Sequence, residues 1–128
     1  MRVAVLHYHL RRGGVTRVIE TAFEALREHD VELLVLAGEA PPELDLPAAA
    51  FAVIPGLGYR DDFNLEAARY LKQQVEAAAQ NHWGAQPDIW HVHNHSLGKN
   101  LEVPWMVARW AEEGRRLLLQ PHDFAEDG

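Results

Sequence analysis

Residues 1–19 read MRVAVLHYHLRRGGVTRVI, and this stretch decides the fold. Val3 to Leu6 form a short apolar run rich in β-branched side chains, which predicts a buried strand. Arg11 to Gly14 follow as a predicted loop. Apolar residues then recur at helical spacing, at Val15, Val18, Ile19, Ala22 and Leu26. A buried strand, a glycine-containing loop and an amphipathic helix form the first unit of an alternating β/α fold.

The same alternation continues along the chain. Further strands are predicted at Val31–Leu36, Phe51–Ile54, Ile89–His93 and Leu117–Gln120. Two more helices carry apolar stripes, one through Leu65, Ala68, Leu71, Val75 and Ala78 and the other through Val103, Met106, Val107, Trp110 and Ala111. Asp61 or Asp62 is the predicted cap of the first of these helices, and Gly114 is the predicted glycine that ends the second. The proline-rich link 37–50 predicts no helix.

Strands that are apolar throughout and alternate with helices predict a parallel sheet covered on both faces. We therefore expect residues 1–128 to form one α/β domain. It is expected to be a three-layer, Rossmann-like domain with a mainly parallel sheet of strand order 3-2-1-4-5. Residues 122–128 follow the last strand as a loop with no capping element, so we expect the chain to be part of a longer protein.

Composition narrows the class of partner. Twelve lysines and arginines against 19 acidic residues give a formal charge of −7, which disfavours a nucleic-acid partner. Cysteine is absent, so disulfides and thiolate chemistry are excluded. The amino terminus does not resemble a signal peptide, and no window approaches the roughly 20 apolar residues of a transmembrane segment. A cytoplasmic location is expected.

Histidines follow three of the predicted strands. In an open parallel sheet, ligands bind outside the carboxyl ends of the strands where the strand order reverses. For the order 3-2-1-4-5 this position lies between strands one and four, with strand five alongside. Six of the eight histidines lie there in sequence, namely His7, His9, His91, His93, His95 and His122. We predict one ligand site on which these imidazoles converge.

The loop after the first strand is a candidate for anion binding. Gly13 and Gly14 allow the backbone to approach a ligand closely, and free N–H groups at a helix start favour anions. Arg17, in the first turn of the predicted helix, joins them as a candidate substrate-binding residue. Neither the full Gly-x-Gly-x-x-Gly fingerprint nor a Walker lysine is present. The structural alternative is a tight turn in which the glycines serve only backbone conformation.

The fourth strand ends in His91-Val92-His93-Asn94-His95. We expect a structural role for His91, whereas His95, further into the loop, is the better candidate to face a ligand. His93 and Asn94 join it as candidate substrate-binding residues. Two or three histidines can also ligate zinc. Asn94 stands where a metallohydrolase would want an acid, so no metal or other cofactor is assigned to this domain.

His122 and Asp123 follow the fifth strand and are the candidate catalytic residues. A histidine there can donate hydrogen bonds or move protons near neutral pH, with the adjacent carboxylate orienting it. The structural alternative is a loop turn in which Asp123 bonds to its own backbone.

Together these segments resemble the amino-terminal domain of family 4 glycosyltransferases, which have the GT-B fold. The resemblance is carried by MRVAVLHYHLRRGGVTRVI, PDIWHVHNHSLGKN and LLLQPHDFAEDG, in the family's order and spacing over essentially the whole chain. It implies retaining transfer of a sugar from a nucleotide diphosphate sugar to an acceptor, in a cleft between two Rossmann-like domains. It also implies that Gly13 and Gly14 approach the donor diphosphate, that His122 hydrogen-bonds the transferred sugar while Asp123 orients the loop, and that residues 91–95 line the acceptor side.

By that resemblance the carboxyl-terminal, donor-binding Rossmann-like domain is absent from the 128 residues, and the fragment alone is expected to be inactive. Two alternatives of other classes remain. One is a non-catalytic module of flavodoxin-like fold that binds phosphate or another small ligand. The other is a histidine-ligated metallohydrolase.

Overall fold

A computed structural model describes residues 1–9, 14–26, 29–39, 50–59, 62–93 and 100–121. The strands are β1 (Arg2–His7), β2 (Glu32–Ala37), β3 (Phe51–Val53), β4 (Ile89–His93) and β5 (Leu117–Gln120). The helices are α1 (Gly14–Leu26), α2 (Leu65–Trp83) and α3 (Glu102–Glu112), and a 3-10 turn covers Pro55–Leu57. Each predicted strand and helix is therefore present, and β4 and β5 begin and end at the predicted residues.

The five strands form one all-parallel sheet in the order β3-β2-β1-β4-β5, which confirms the predicted strand order. The chain runs outward from β1 to β3 and then returns to β4 on the other side of β1. The reversal places the carboxyl ends of β1 and β4 side by side, with Leu6 in register with Val92. A flavodoxin-like sheet has a different order, 2-1-3-4-5, so the sheet predicted for the binding-module alternative is wrong, while its non-catalytic function stays a prediction.

The two faces of the sheet carry different cores. We call them the α2/α3 face and the α1 face, after the helices that cover them. On the α2/α3 face, Ala4, Leu6, Trp90 and Val92 pack with residues of both helices, and Trp90 stacks on Trp110 with ring centroids 4.1 Å apart. On the α1 face, Val3 and Val5 of β1 and Val35 and Ala37 of β2 pack with Val15 and Ile19 of α1. Both faces are covered, as expected for a three-layer α/β domain.

Two helix boundaries test the predicted capping residues. The cap of α2 is Asn64, whose Oδ1 accepts a hydrogen bond from the Ala67 N–H at 3.0 Å, so the predicted cap at Asp62 is wrong. Asp61, the other predicted cap, lies outside the described residues. Gly114 has φ +77° after the last turn of α3, where a left-handed residue is required, and this confirms its predicted role.

The residues predicted at the centre of each helix's apolar stripe are buried, but some residues predicted at the edges of the stripes are exposed. Val18, Leu65 and Ala111 were expected inside but are exposed, and Phe23 is half-buried on α1 instead. Periodicity gives the direction of a stripe, but its width depends on how the helix lies on the sheet.

A half-buried lysine ties α2 to α3. Lys72 of α2 lies 2.7 Å from a carboxylate oxygen of Glu113 and 3.2 Å from one of Glu76. Burial alone lowers the pKa of Lys72, but the hydrogen bonds to Glu113 and Glu76 outweigh it and raise the pKa above the ordinary value of 10.5. Glu76 also accepts a hydrogen bond from the Trp110 indole at 3.0 Å. The helix pair is thus joined by one small polar network above an apolar core.

Candidate functional site

The histidines of β1 and β4 lie on the α1 face. Successive side chains of a strand point to opposite faces, so His7 follows Val3 and Val5, and His91 and His93 follow Ile89. Because Val5 is in register with His91 and Leu6 with Val92, the next position of β1, His7, lies beside His93. The apolar core of the α1 face therefore gives way to imidazoles at the carboxyl ends of its two central strands.

These imidazoles converge. The ring centroid of His7 lies 5.0 Å from that of His9 and 6.0 Å from that of His93. His93 in turn stacks on His91, with centroids 4.3 Å apart and an interplanar angle of 28°. His7 and His93 are each only 2% exposed, whereas His9 and His91 are half-buried. The four rings form one continuous cluster, which we call the histidine cluster, running from the sheet interior towards solvent.

His91 and His93 are held differently. The His91 Nε2 is 2.8 Å from Oε1 of Gln120 on β5, a contact between neighbouring strands. This contact fits the structural role expected for His91. His93 lies two residues after His91, at the end of β4. Its ring contacts the rings of both His7 and His91.

A tyrosine closes the outer end of the histidine cluster. The Tyr59 hydroxyl lies 3.0 Å from the His9 Nε2, and the two ring centroids are 5.5 Å apart. Tyr59 also packs against Tyr8, at 5.3 Å between centroids. Tyr8 belongs to the α2/α3 face and His9 follows the α1 face, so Tyr59 bridges the two at the sheet edge.

Tyr59 reaches the end of β1 because the residue that follows β2 is a glycine, Gly38. Its lack of a side chain lets a later part of the backbone pass close to it. Gly58, which follows the 3-10 turn, packs directly on Gly38, and a Cβ on Gly38 would lie 2.3 Å from the Gly58 nitrogen and 2.7 Å from the Tyr8 oxygen. The Gly38 N–H donates to that Tyr8 oxygen at 2.9 Å. Only glycine allows this approach, which carries Tyr59 from the end of β3 across β2 to His9.

Asn100 fixes the same turn from the other side. Its Nδ2 donates to the carbonyl oxygens of Gly56 at 2.8 Å and Gly58 at 2.6 Å. Its Oδ1 accepts from the N–H groups of Glu102 at 2.9 Å and Val103 at 3.2 Å, which caps the start of α3. The buried amide thus uses both donors and both acceptor positions, as a side chain with 0% exposure requires.

Glu102 extends this network to α2. The side chain is buried in the first turn of α3, where a carboxylate suits the helix dipole, and its Oε2 accepts from the Asn64 N–H at 3.1 Å. The starts of α2 and α3 and the turn at residues 55–58 are therefore one unit at the carboxyl edge of the sheet. This unit is built from backbone amides and two buried polar side chains.

Of the predicted site residues, the structure brings His93 to the histidine cluster. Gly14 begins α1, as the glycine of a loop-to-helix junction would. Arg17 lies exposed in the first turn of that helix, and within the described ranges no contact joins it to the imidazoles. Gly13, Asn94, His95, His122 and Asp123 lie outside the described residues.

Sequence reasoning missed Tyr8, Tyr59, Asn100 and Gln120 as parts of this edge. One signal was available for Tyr59, because it follows β3 and so belongs to the carboxyl edge of the sheet. Its contact with His9 depends on the turn that passes over Gly38, and no periodicity reports such a turn. Gln120 was visible as the last residue of β5, in register with His93.

The histidine cluster and Tyr59 present nitrogen and hydroxyl groups that can donate or accept hydrogen bonds near neutral pH. Within the part of the chain that the structure describes, no group of three or more His, Cys, Asp or Glu side chains is placed to hold a metal ion. The described helices include none long and apolar enough to cross a membrane. The arrangement suits recognition of hydroxyl-bearing or phosphate-bearing ligands.

Comparison with family models, with curated proteins and with solved structures found no match to this chain. The resemblance to family 4 glycosyltransferases therefore remains a prediction from the sequence motifs.

Proposed function

We propose that this chain is the acceptor-side, amino-terminal domain of a retaining glycosyltransferase that moves a sugar from a nucleotide diphosphate sugar to an acceptor. The observation that carries the proposal is the histidine cluster, in which imidazoles from β1 and β4 meet at the switch point of a 3-2-1-4-5 sheet. That is the position at which open α/β sheets bind ligands. Each of the three sequence motifs of the resemblance contains one of the neighbouring strands β1, β4 and β5.

In this account the roles divide along the edge. Gly13 and Gly14 approach the diphosphate, and the first turn of α1, which includes Arg17, supplies N–H groups suited to an anion. His93, Asn94 and His95 line the acceptor side. His122 hydrogen-bonds the transferred sugar, and Asp123 orients its loop.

The chemistry breaks the bond between the anomeric carbon and the diphosphate and forms a bond to an acceptor hydroxyl on the same side of the sugar. The diphosphate leaves with the bonding electrons, and an imidazole nitrogen can accept the hydroxyl proton as the new bond forms. The donor's base and ribose would be held by a second Rossmann-like domain, so residues 1–128 alone are expected to give little or no turnover.

The test is sugar transfer by the product of the entire open reading frame that encodes these residues. Release of nucleotide diphosphate is followed with a panel of donors and acceptors, and the anomeric configuration of the product is read by NMR. His122→Ala is expected to lower kcat by about 100-fold or more, the scale of a lost hydrogen-bonding or proton-transfer group.

The matched control is His82→Ala, the same substitution in the last turn of α2. It is expected to leave kcat unchanged. Transfer that survives His122→Ala removes the role given to His122. Robust transfer by residues 1–128 alone contradicts the two-domain account.

A further inference from the structure

Tyr59 and His9 are joined by a side-chain contact at the outer end of the histidine cluster. The Tyr59 hydroxyl lies 3.0 Å from the His9 Nε2, which is a hydrogen-bond distance. The two rings meet edge to face, with centroids 5.5 Å apart and an interplanar angle of 82°. Tyr59 is 40% exposed and His9 is half-buried, so this pair lies where the histidine cluster approaches solvent.

The backbone positions of both partners are fixed on the same glycine. The carbonyl of Tyr8, the residue before His9, accepts a hydrogen bond from the Gly38 N–H at 2.9 Å. Gly58, the residue before Tyr59, packs so closely on Gly38 that a Cβ there would lie 2.5 Å from the Gly58 Cα. Backbone packing at Gly38 therefore brings the side chains of His9 and Tyr59 together.

The ring of Tyr59 has a second contact that does not involve its hydroxyl. It packs against the ring of Tyr8, with centroids 5.3 Å apart and an interplanar angle of 58°, and Tyr8 is only 2% exposed. A phenylalanine at position 59 keeps this ring packing and loses only the hydroxyl. The hydrogen bond to His9 can therefore be removed separately from the packing.

This hydrogen bond bears on the tautomer of His9. A neutral imidazole carries its one N–H proton on Nδ1 or on Nε2, and the hydrogen bonds that the ring makes decide which. An imidazole nitrogen, whose conjugate acid has an ordinary pKa of about 6.5, is a much stronger base than a phenol oxygen. The neutral pair therefore favours donation from the Tyr59 O–H to the Nε2 of His9, which leaves the imidazole proton on Nδ1.

We propose that Tyr59 is a positioning residue that holds neutral His9 in its Nδ1–H form. In this form the His9 Nδ1 donates hydrogen bonds, which suits an oxygen of a ligand hydroxyl or phosphate, and the Nε2 lone pair is engaged by Tyr59. His9 then serves binding, and the acceptor's hydroxyl proton is taken up by a group other than His9. This ligand role rests on the proposed function, because it concerns the same site, whereas the tautomer does not.

The experiment is NMR of the ring nitrogens of ¹⁵N-labelled histidines in the product of the entire reading frame, with no ligand present. Spectra are recorded at rising pH until the His9 signals stop changing, and His9→Gln identifies those signals. We expect a protonated Nδ1 and an unprotonated, hydrogen-bonded Nε2. In Tyr59→Phe the ratio of the Nδ1–H to the Nε2–H form should fall by about fivefold or more, the fold-change of one ordinary hydrogen bond.

Tyr70→Phe is the matched control, because Tyr70 is 61% exposed on α2, and it should leave the ratio unchanged. Tyr59→Leu removes the ring as well as the hydroxyl and should match Tyr59→Phe. A parent chain whose neutral His9 carries its proton on Nε2 would overturn the inference. A ratio that changes only in Tyr59→Leu would also overturn it, because ring packing would then position His9, and so would equal changes in Tyr59→Phe and Tyr70→Phe.

The NMR measurement needs no sugar donor, so it is independent of the transfer assay. A His9 tautomer that depends on the Tyr59 hydroxyl, in a product that transfers no sugar, rejects the proposed function and keeps Tyr59 as the positioning residue of His9. Sugar transfer by a product whose neutral His9 is in the Nε2–H form rejects this inference and keeps the proposed function.

Discussion

The two faces of the sheet differ most at their carboxyl ends. On the α2/α3 face, β1 and β4 stay apolar to the edge, through Leu6 and Val92, which are each 1% exposed. On the α1 face, the neighbouring positions are His7 and His93. The same two strands therefore serve stability on one face and present titratable groups on the other. The proposed ligand site rests on this convergence of imidazoles at one end of the sheet.

The largest loss of stability is expected at Gly38, because the backbone that leads to Tyr59 packs directly on it. In Gly38→Ala the new Cβ would meet the Gly58 backbone at 2.3 Å, and backbone cannot move aside as a flexible side chain can. The free energy of unfolding should fall by about 3 kcal/mol or more, the upper part of the overpacking range. Urea denaturation measures it.

Gly114→Ala is the control for backbone conformation alone, since Gly114 has φ +77° with nothing within 4 Å of its Cβ position. Its cost should be about 1 kcal/mol. Similar costs for the two variants would mean that the turn does not depend on close packing over Gly38.

Asn100→Ala should have the next largest effect. It removes four hydrogen bonds and leaves the N–H groups of Glu102 and Val103 and the carbonyls of Gly56 and Gly58 to find other partners. We expect a loss of about 2–3 kcal/mol, since buried groups left unsatisfied cost about 1–3 kcal/mol. The NMR signals of His9 and Tyr59 should also shift, because the turn that holds Tyr59 is released. Unchanged signals would mean that the hydrogen bonds of Asn100 are not needed to hold Tyr59 against His9.

Much of the fold could be predicted from the sequence, and the contacts that could not be predicted have physical reasons. The strands β4 and β5 were bounded correctly because their apolar runs begin and end at polar residues or proline. The meeting of His7 with His93 followed from strand order, because parallel strands share a carboxyl edge. The contacts of Tyr59 and Asn100 were not predictable, since they depend on a turn packed over a glycine 20 residues earlier in the chain than Gly58.

Neighbouring residues of β4 offer a direct test of the two-face comparison. Val92→Ala should cost roughly 2 kcal/mol, because it deletes methyl groups from the α2/α3 core. His91→Val should change stability by less than about 1 kcal/mol, since the lost hydrogen bond to Gln120 is offset by a side chain suited to strands. Thermal or urea unfolding of the two variants and the parent chain measures both costs. A cost for His91→Val as large as that for Val92→Ala would mean that both faces of β4 contribute equally to stability at this end of the strand.

The smallest effect concerns the helix pair that covers the apolar face. Because hydrogen bonds to Glu113 and Glu76 raise the Lys72 pKa above 10.5, its stabilisation is complete below that pH. It is lost as pH rises through the raised pKa, where the folded state also releases its proton. The stability difference between the parent chain and Lys72→Met should therefore shrink by about 0.5 kcal/mol between pH 9 and pH 12, the scale of a partly exposed ion pair. A stability difference that stays constant over this pH range would contradict stabilisation by the ion pairs of Lys72.

The central claim is that imidazoles from β1 and β4 form one ligand site. Side-chain NMR of histidines labelled in the product of the entire reading frame tests it most directly, during titration with a nucleotide diphosphate sugar at millimolar concentration. His29 and His82 are internal controls, because they lie near the start of β2 and at the end of α2. We predict that the signals of His7, His9 and His93 shift together with one binding curve while those of His29 and His82 stay fixed. Shifts confined to the two control histidines, or none at all, would contradict the account.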